Sequence, residues 1–188
     1  MNSKYIIFVS GLLASGKTTF SKYLSNELGL LLINKDYIKE ILCETVGFSN
    51  REENLKLSEA THEIMRHVAV NCMKIGLPLI LESNFNSSDA EYFSNEMQKY
   101  AYTPIHVVLT GDKGILYVRF MKRWKDRHWA HKSFDAHSEN FKNDFFNQIE
   151  GWERFDISGE KIIIDTTNFT DVLYDDILEK INKLINKV

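Results

Sequence analysis

Apolar runs of strand length alternate with longer amphipathic segments along the whole chain. Five runs are almost continuously hydrophobic, which is typical of strands covered on both faces of a parallel sheet. We predict strands at Tyr5–Ser10, Leu30–Asn34, Leu77–Glu82, Ile105–Thr110 and Lys161–Asp165. Between them, apolar residues recur at every fourth position, which predicts helices. The alternation predicts one α/β domain over residues 1–188, built around a parallel sheet.

The composition is that of a globular protein, because 44% of the 188 residues are hydrophobic and 26% are charged. This length is sufficient for one domain with a real core. The formal net charge of -3 provides no overall basic field for binding a long nucleic acid. Cys43 and Cys72 fall in apolar helical rows, so we predict buried free thiols and a reducing, cytoplasmic compartment. No apolar run approaches the ~18 residues needed to cross a membrane, so no membrane partner is expected.

The first predicted strand runs into a glycine-rich segment, Gly11-Leu12-Leu13-Ala14-Ser15-Gly16-Lys17-Thr18. This is the G-x-x-x-x-G-K-[ST] pattern of a phosphate-binding loop, and a helical pattern follows it. The two glycines permit backbone angles at which successive N–H groups face phosphate oxygens. Lys17 supplies a charge to the β- and γ-phosphates, and the Thr18 hydroxyl can bind Mg²⁺. We therefore predict binding of ATP and Mg²⁺ by Gly11, Ala14, Ser15, Gly16, Lys17, Thr18 and Thr19.

The same stretch also has features of a secretory signal peptide, since a lysine precedes an apolar run that ends in small residues. Cleavage there would remove the first predicted strand and disrupt the sheet. The order strand, tight loop, helix is what a phosphate loop requires, so we favour a nucleotide-binding loop.

Nucleotide binding alone does not distinguish a kinase from a switch. A GTPase would need an Asn-Lys-x-Asp guanine reader after a late strand, whereas Asn34-Lys35-Asp36 lacks the spacer and follows the second strand. No predicted strand ends in the Asp-x-x-Gly of a switch region. A large motor ATPase would need more residues than these. The length suits a small kinase that has a place for an acceptor and a mobile cover.

Asp36 follows the second predicted strand, at the carboxyl edge where ligands of open parallel sheets bind. A carboxylate there can orient an acceptor hydroxyl and take its proton during phosphoryl transfer. The alternative is a helix N-cap, since Asp is a favoured cap residue, and both roles could coexist.

Glu82 ends the third predicted strand, in the segment LPLILESNFN. An acidic residue at this place holds Mg²⁺ in phosphate-loop enzymes, usually through water. A solvated strand end is the alternative. Ser83 and Asn84 follow and are candidates for binding the waters of the cation or the acceptor.

The segment 111–132 is strongly basic, with seven lysines and arginines against two aspartates. Arg119, Arg123 and Arg127 recur at helical spacing, so we expect them on one face of a helix. As a lid over the nucleotide, such a row would neutralise charge that develops on the transferred phosphoryl group. A solvated helix face is the alternative.

His128 and His131 have a spacing that metal ligands can have, but no cluster of Cys, Asp or Glu completes a zinc set in the sequence. A contact with phosphate or substrate, or packing beside Trp129, is the preferred interpretation.

Four blocks resemble, in order, the small phosphate-loop kinases that include polynucleotide 5′-kinase, chloramphenicol phosphotransferase and the zeta-toxin sugar-nucleotide kinases. The blocks are FVSGLLASGKTTFSKYL, INKDYIKE, LILESNFN and RFMKRWKDRHWAH. The resemblance puts Asp36 at the position of the catalytic aspartate of polynucleotide kinases, and Glu82 at the acidic strand end. Those enzymes usually have an arginine where this chain has Lys39, which counts against a polynucleotide substrate.

This resemblance implies a three-layer α/β/α P-loop NTPase fold, with a five-stranded parallel sheet of order 2-3-1-4-5 and an arginine-bearing lid. It also implies an adenine site between the base of the lid and the turn at 166–168. Arg119 and Thr167 are the candidate nucleotide contacts there.

We predict an ATP-dependent kinase that transfers the γ-phosphate of ATP to a hydroxyl of a small molecule or nucleotide-like acceptor. Its candidate catalytic residues are Lys17, Asp36, Arg123 and Arg127. A polynucleotide 5′-hydroxyl kinase and a nucleotide-sensing module with negligible turnover stay open as alternatives. The acceptor is not encoded in a recognisable motif, and we expect its specificity to reside in residues 38–60 and 134–152.

Overall fold

Across residues 4–187, which the computed structural model describes, the strands form one five-stranded sheet in which every neighbouring pair is parallel. The strand order is β2-β3-β1-β4-β5, as expected. The strands are β1 (Tyr5–Gly11), β2 (Leu31–Asn34), β3 (Leu79–Glu82), β4 (Thr103–Thr110) and β5 (Glu160–Asp165). All five predicted strands are therefore confirmed, with ends shifted by no more than two residues.

Helices connect the strands, because parallel neighbours require crossover connections. The helices are α1 (Lys17–Leu28), α2 (Lys35–Val46), α3 (Arg51–Lys74), α4 (Ser87–Tyr100), α5 (Lys113–Trp124), α6 (Glu139–Phe146), α7 (Gly151–Arg154) and α8 (Tyr174–Ile185). Short 3₁₀ turns occur at Trp129–His131 and Phe169–Asp171.

Both faces of the sheet are covered, which explains the continuous hydrophobic runs. Every residue of β1 is buried, and its successive side chains point to opposite faces. Ile6 and Phe8 join a core cluster with side chains of α3 and α4. Ile7 and Val9 join a second cluster with side chains of α1 and α8. The predicted three-layer α/β/α P-loop NTPase fold is confirmed.

A third core cluster lies where the loop after β1 meets α5 and α6. Leu12 of that loop packs there with Leu116, Phe120, Ala136 and Phe145. The segment that follows β4 is therefore packed onto the phosphate-loop motif, and it brings its arginines to the carboxyl edge of the sheet.

Cys43 and Cys72 are buried free thiols, as predicted. Of the helices between residues 4 and 187, none combines the length and apolar character that crossing a membrane requires.

Candidate active site

The loop between β1 and α1 has a backbone that specific residues make possible. Gly11 has φ 141°, and a Cβ atom there would lie 1.9 Å from the carbonyl oxygen of Leu109 in β4. Only glycine fits at that position. Gly16 (φ 92°) and Ala14 (φ 61°) also have left-handed backbone angles. The loop therefore turns sharply from the strand into the helix, as the motif predicts.

The amino end of α1 has the properties of an anion site. Its N-cap is Gly16, and within the described residues no side chain caps it. The first N–H groups of α1 are thus left for a ligand, at the positive end of the helix dipole. The hydroxyl of Ser15 is buried and has no partner among residues 4–187. These features fit the phosphate groups of a nucleotide.

Lys17 folds back over the loop. Its ammonium donates to the carbonyl oxygens of Gly11 (3.1 Å) and Leu12 (2.8 Å). Burial lowers the pKa of Lys17 to about 8, although the nearby carboxylates of Glu82 and Asp36 act in the opposite direction. The amine is positioned among oxygen atoms that a phosphate could replace.

Glu82, at the end of β3, is buried and accepts three side-chain hydrogen bonds. The donors are Thr18 Oγ1 at 2.7 Å, Ser21 Oγ at 2.5 Å and Asn34 Nδ2 at 2.5 Å. The alternative interpretation, in which Glu82 is a solvated strand end, is therefore wrong. A carboxylate beside the motif hydroxyl offers the oxygen ligands that Mg²⁺ prefers, so the donor set fits this cation.

Asp36 is the second residue of α2, but it does not cap the helix. Asn34 is the N-cap, and its side-chain oxygen accepts from the backbone N–H of Tyr37 at 3.0 Å. Burial would raise the pKa of Asp36, but the charges of His131, Lys35 and Arg127 outweigh it, so the pKa is lowered. Asp36 is thus an ionised carboxylate, free of the capping role considered as its alternative.

The phosphate loop, Asp36, Glu82 and two arginines face a common cavity of about 390 Å³. We name it the phosphate cavity. The predicted site residues that line it are Ala14, Gly16, Lys17, Thr18, Thr19, Asp36, Glu82, Arg123 and Arg127, joined by Leu13, Asn34, Lys35, Ser83 and Asn84. Gly11 and Ser15 are buried behind the loop surface.

The prediction that Arg119, Arg123 and Arg127 lie on one face of a helix is wrong for Arg127. Helix α5 ends at Trp124, and Arg127 lies in the turn beyond it, where its N–H donates to the Trp124 carbonyl at 3.2 Å. Arg127 nevertheless reaches the phosphate cavity with Arg123. Neither arginine has a carboxylate partner among residues 4–187.

Arg119 does not line the phosphate cavity and instead contacts the turn after β5. Its guanidinium donates to the carbonyl oxygens of Thr166 (2.6 Å) and Thr167 (2.7 Å). It also lies over the ring of Phe169, 4.1 Å from the ring centre. That ring touches Gly16, since a Cβ atom added there would be 2.7 Å from it. The base of the expected lid and the turn after β5 therefore meet beside the phosphate loop.

The segment after α5 is tied to α2 and α3. His131 Nε2 is 2.9 Å from a carboxylate oxygen of Glu40, and His128 Nε2 is 3.1 Å from one of Glu44. Burial lowers the pKa of His131, although Asp36 acts in the opposite direction. Both histidines therefore contact carboxylates of α2. The spacing of the histidines in the sequence did not predict these contacts.

The buried amide of Asn54 in α3 joins three segments. It donates to the carbonyl oxygen of Ala130 at 2.9 Å, and it accepts from Lys39 Nζ at 2.9 Å and Ser133 Oγ at 3.1 Å. Sequence reasoning missed Asn54, Ser21 and the cap Asn34, because single polar residues inside helical or strand patterns carry no motif. The position of Asn34 between a strand and a helix is a capping signal that could have revealed it.

A family model described as an AAA domain matches residues 7–147. Among solved structures, that of a candidate kinase from Chloroflexus aurantiacus J-10-fl is similar over 100% of this chain and 98% of that one, with 25% sequence identity and a TM-score of 0.88. Two others share the fold with a TM-score of 0.60. They are the APS kinase of Mycobacterium tuberculosis in complex with AMPPNP and APS (13% identity, 99% of each chain) and the shikimate kinase of Bacteroides thetaiotaomicron (18% identity, 98% of this chain and 99% of that one). No curated protein matches.

These likenesses show a P-loop kinase-like fold. They do not distinguish the group that contains polynucleotide 5′-kinase and chloramphenicol phosphotransferase from other P-loop kinases.

Proposed function

The chain belongs to the AAA domain family, and we propose that it is an ATP-dependent phosphotransferase that transfers the γ-phosphate of ATP to a hydroxyl group of a small molecule. The observation that supports this most is the phosphate cavity itself. It holds the loop lysine, the carboxylate of Glu82, the carboxylate of Asp36 and two arginines within one space. A binding module needs the first of these but not all of them.

The loop would bind ATP, and Thr18 and Glu82 would hold Mg²⁺ from the side of β3. When bound, ATP supplies the phosphoryl group and Mg²⁺ neutralises charge on its oxygens. The chain's own contribution there is positioning, because Glu82 is already fixed by Thr18, Ser21 and Asn34. Arg119 and Thr167 would lie beside the adenine.

Asp36 would orient the acceptor hydroxyl. Its lowered pKa keeps it ionised at neutral pH, so it can accept a hydrogen bond from the hydroxyl and then its proton as the new bond to phosphorus forms. Arg123 and Arg127 lack carboxylate partners in the described chain, so their charge is available to the transferred phosphoryl group. We propose that residues 111–132, which contain them, act as a lid within a single kinase domain.

A polynucleotide acceptor has less support. Lys39, at the position where polynucleotide kinases usually have arginine, is buried against the amide of Asn54 at 2.9 Å. Its amine is therefore used inside the protein. A sensor with negligible turnover would not need Asp36. We also propose a cytoplasmic enzyme, which the two free thiols support.

Substitution of Asp36 by Asn tests the proposal. The variant keeps the shape of the side chain and leaves the cap at Asn34 intact, so ATP affinity and thermal stability should stay within a few-fold and a few degrees. Phosphoryl transfer should fall by roughly 10²–10⁴, the usual contribution of a positioned general base. ATP binding is measured by titration calorimetry, and transfer by ADP production with a library of hydroxyl compounds.

Asp176→Asn is the matched control, because it removes the same charge from the first turn of α8. Normal transfer by the Asp36→Asn protein would show that the acceptor base lies elsewhere. Absence of any transfer by the unmodified protein across the library would favour the sensor.

A further inference from the structure

A second cavity, of about 630 Å³, adjoins the phosphate cavity. Leu13, Asn84 and Arg127 line both cavities, so the two cavities meet at these residues. A molecule bound in the second cavity would have Asp36 of the phosphate cavity on the far side of this boundary. We name it the aromatic cavity. Its volume is in the range of small-molecule sites, and Arg119 and Thr167, which are proposed to lie beside the adenine, do not line it.

Four phenylalanines form the apolar wall of the aromatic cavity. They are Phe120, Phe134, Phe141 and Phe145. Phe120 and Phe145 are buried and form the floor. Phe134 and Phe141 are half-buried and stacked, with ring centres 4.9 Å apart and planes inclined by 26°. Rings that are stacked and still partly open to the cavity offer a flat apolar surface to another planar group.

Charged side chains of both signs surround this wall. Arg51 and Arg154 are balanced by Asp135 and Asp144. The remaining charge is that of Arg127, which also faces the phosphate cavity and is proposed to act on the phosphoryl group. The rim therefore does not select a ligand with a high net charge. A continuous basic track, which a nucleic-acid backbone would require, is not formed by these lining residues of the described chain.

Two of the residues that line both cavities carry polar atoms without hydrogen-bond partners in the described chain. The side-chain oxygen of Asn84 and Nε of Arg127 are buried and make no hydrogen bond within residues 4–187. Buried polar groups are normally satisfied, so the boundary between the two cavities is suited to a polar group of a ligand, such as a hydroxyl.

We propose that the acceptor is an uncharged, hydroxylated small molecule with a planar aromatic part. This inference rests on the proposed function. The aromatic part packs on Phe134 and Phe141, and the hydroxyl passes Asn84 and Arg127 to reach Asp36. The hydroxyl oxygen forms a bond to the γ-phosphorus while the bond to the leaving ADP oxygen breaks. The hydroxyl proton goes to Asp36 and from there to solvent, which leaves a phosphate monoester and ADP.

Three matched probes test this class: phenyl β-D-glucoside, methyl β-D-glucoside and phenyl β-D-glucuronide. Their binding is measured by saturation-transfer NMR and titration calorimetry in the presence of ADP·Mg²⁺, so no turnover is needed. The phenyl glucoside should bind roughly 5- to 20-fold more tightly than the methyl glucoside, as expected for stacking on aromatic side chains. The glucuronide should gain nothing from its charge.

Phe141→Ala should remove most of the preference for the phenyl glucoside. Phe141→Leu keeps an apolar side chain of similar size, and it should lose the preference while retaining the folded state. Phe146→Ala is the control, since Phe146 is on the same helix but does not line the aromatic cavity. It should bind all three probes as the unmodified protein does.

Equal binding of the two glucosides overturns the inference, and so does failure of the phenyl glucoside to bind or a preference that survives Phe141→Leu. These results are distinct from failure of the proposed function. If the phenyl glucoside binds selectively but no hydroxyl compound is phosphorylated, the kinase proposal fails and the aromatic site stands. If aliphatic alcohols are phosphorylated without aromatic preference, the kinase proposal stands and this inference fails.

Discussion

Lys17 is a partly buried amine that is placed to bind a negatively charged ligand. Carbonyl oxygens of Gly11 and Leu12 accept its hydrogen bonds, but they carry only partial charges. Burial therefore lowers its pKa to about 8. A phosphate group beside it would favour the protonated form and raise the pKa again. Ligand binding and proton binding are thereby linked at this residue.

The linkage predicts how ATP affinity depends on pH. Below pH 8 Lys17 is already protonated, so affinity should be nearly constant from pH 7 to 7.5. Above pH 8 the free protein loses this proton, and affinity should fall by up to about tenfold per pH unit. At pH 8.5, ATP binding should take up a substantial fraction of one proton. Calorimetric titrations in buffers of different ionisation enthalpy measure that uptake.

Lys17→Arg is the control for the pH dependence. A guanidinium stays protonated throughout this range, so whatever its affinity for ATP, binding should take up no proton at pH 8.5. Equal proton uptake by the two proteins would assign the titration to another group.

At the scale of elements, Asn54 of α3 connects helix α2 with the segment that follows Arg127. Asn54 is 1% exposed, and the partners named above belong to α2, to the 3₁₀ turn and to the bend at Ser133 that follows it. The ammonium of Lys39 is also buried and depends on this oxygen. The segment that follows Arg127 is therefore held in place by α2 and α3.

Asn54→Ala should destabilise the protein by about 2–3 kcal/mol, because it leaves a buried ammonium and a buried carbonyl without partners. Urea unfolding measures the loss, and hydrogen exchange over residues 129–133 should become faster. Asn71→Ala, at an exposed position of the same helix, should change neither quantity appreciably. A variant of Asn54 that is as stable as the Asn71 control would contradict the connecting role.

The elements themselves were largely predictable from sequence. Strands such as β1 are apolar at every position because both faces are covered, and Gly11 and Gly16 mark the loop. The end of α5 at Trp124 was not predictable, since no Gly or Pro follows it and the arginine spacing continues through Arg127. Tertiary contacts end the helix, because α2 and α3 hold the turns that follow it. Helix α6 was missed for a related reason, as its phenylalanines face the third cluster and not the sheet.

At the scale of the whole molecule, two core clusters enclose the sheet and the third joins α5, α6 and the phosphate loop. Among the described residues, the buried members of the third cluster are distinct from those of the other two. Leu12 is the loop residue that belongs to it. Residues 111–132 can therefore respond to the loop without repacking the rest of the core.

This separation supports a prediction for the lid. Addition of ATP·Mg²⁺ should slow hydrogen exchange across residues 111–132, because Arg123 and Arg127 would gain a ligand between them. Exchange in strands β1 and β4 should be unchanged. The Lys17→Ala protein at the same ATP concentration is the control and should show no slowing. Unchanged exchange in residues 111–132 while ATP is demonstrably bound would count against a lid.

The side chain of Asn34 has a different partner at each end. Its oxygen caps the helix that contains Asp36, and its nitrogen contacts Glu82. One planar amide therefore fixes the spacing between the carboxylate proposed to accept the proton and the one proposed to hold the cation. Aspartate in its place would cap the helix but oppose Glu82 with a second negative charge, and serine would be too short to span the gap. Substitutions that adapt the protein to a new acceptor, by natural selection or in the laboratory, would then be expected in the aromatic cavity. Asn34 would be retained.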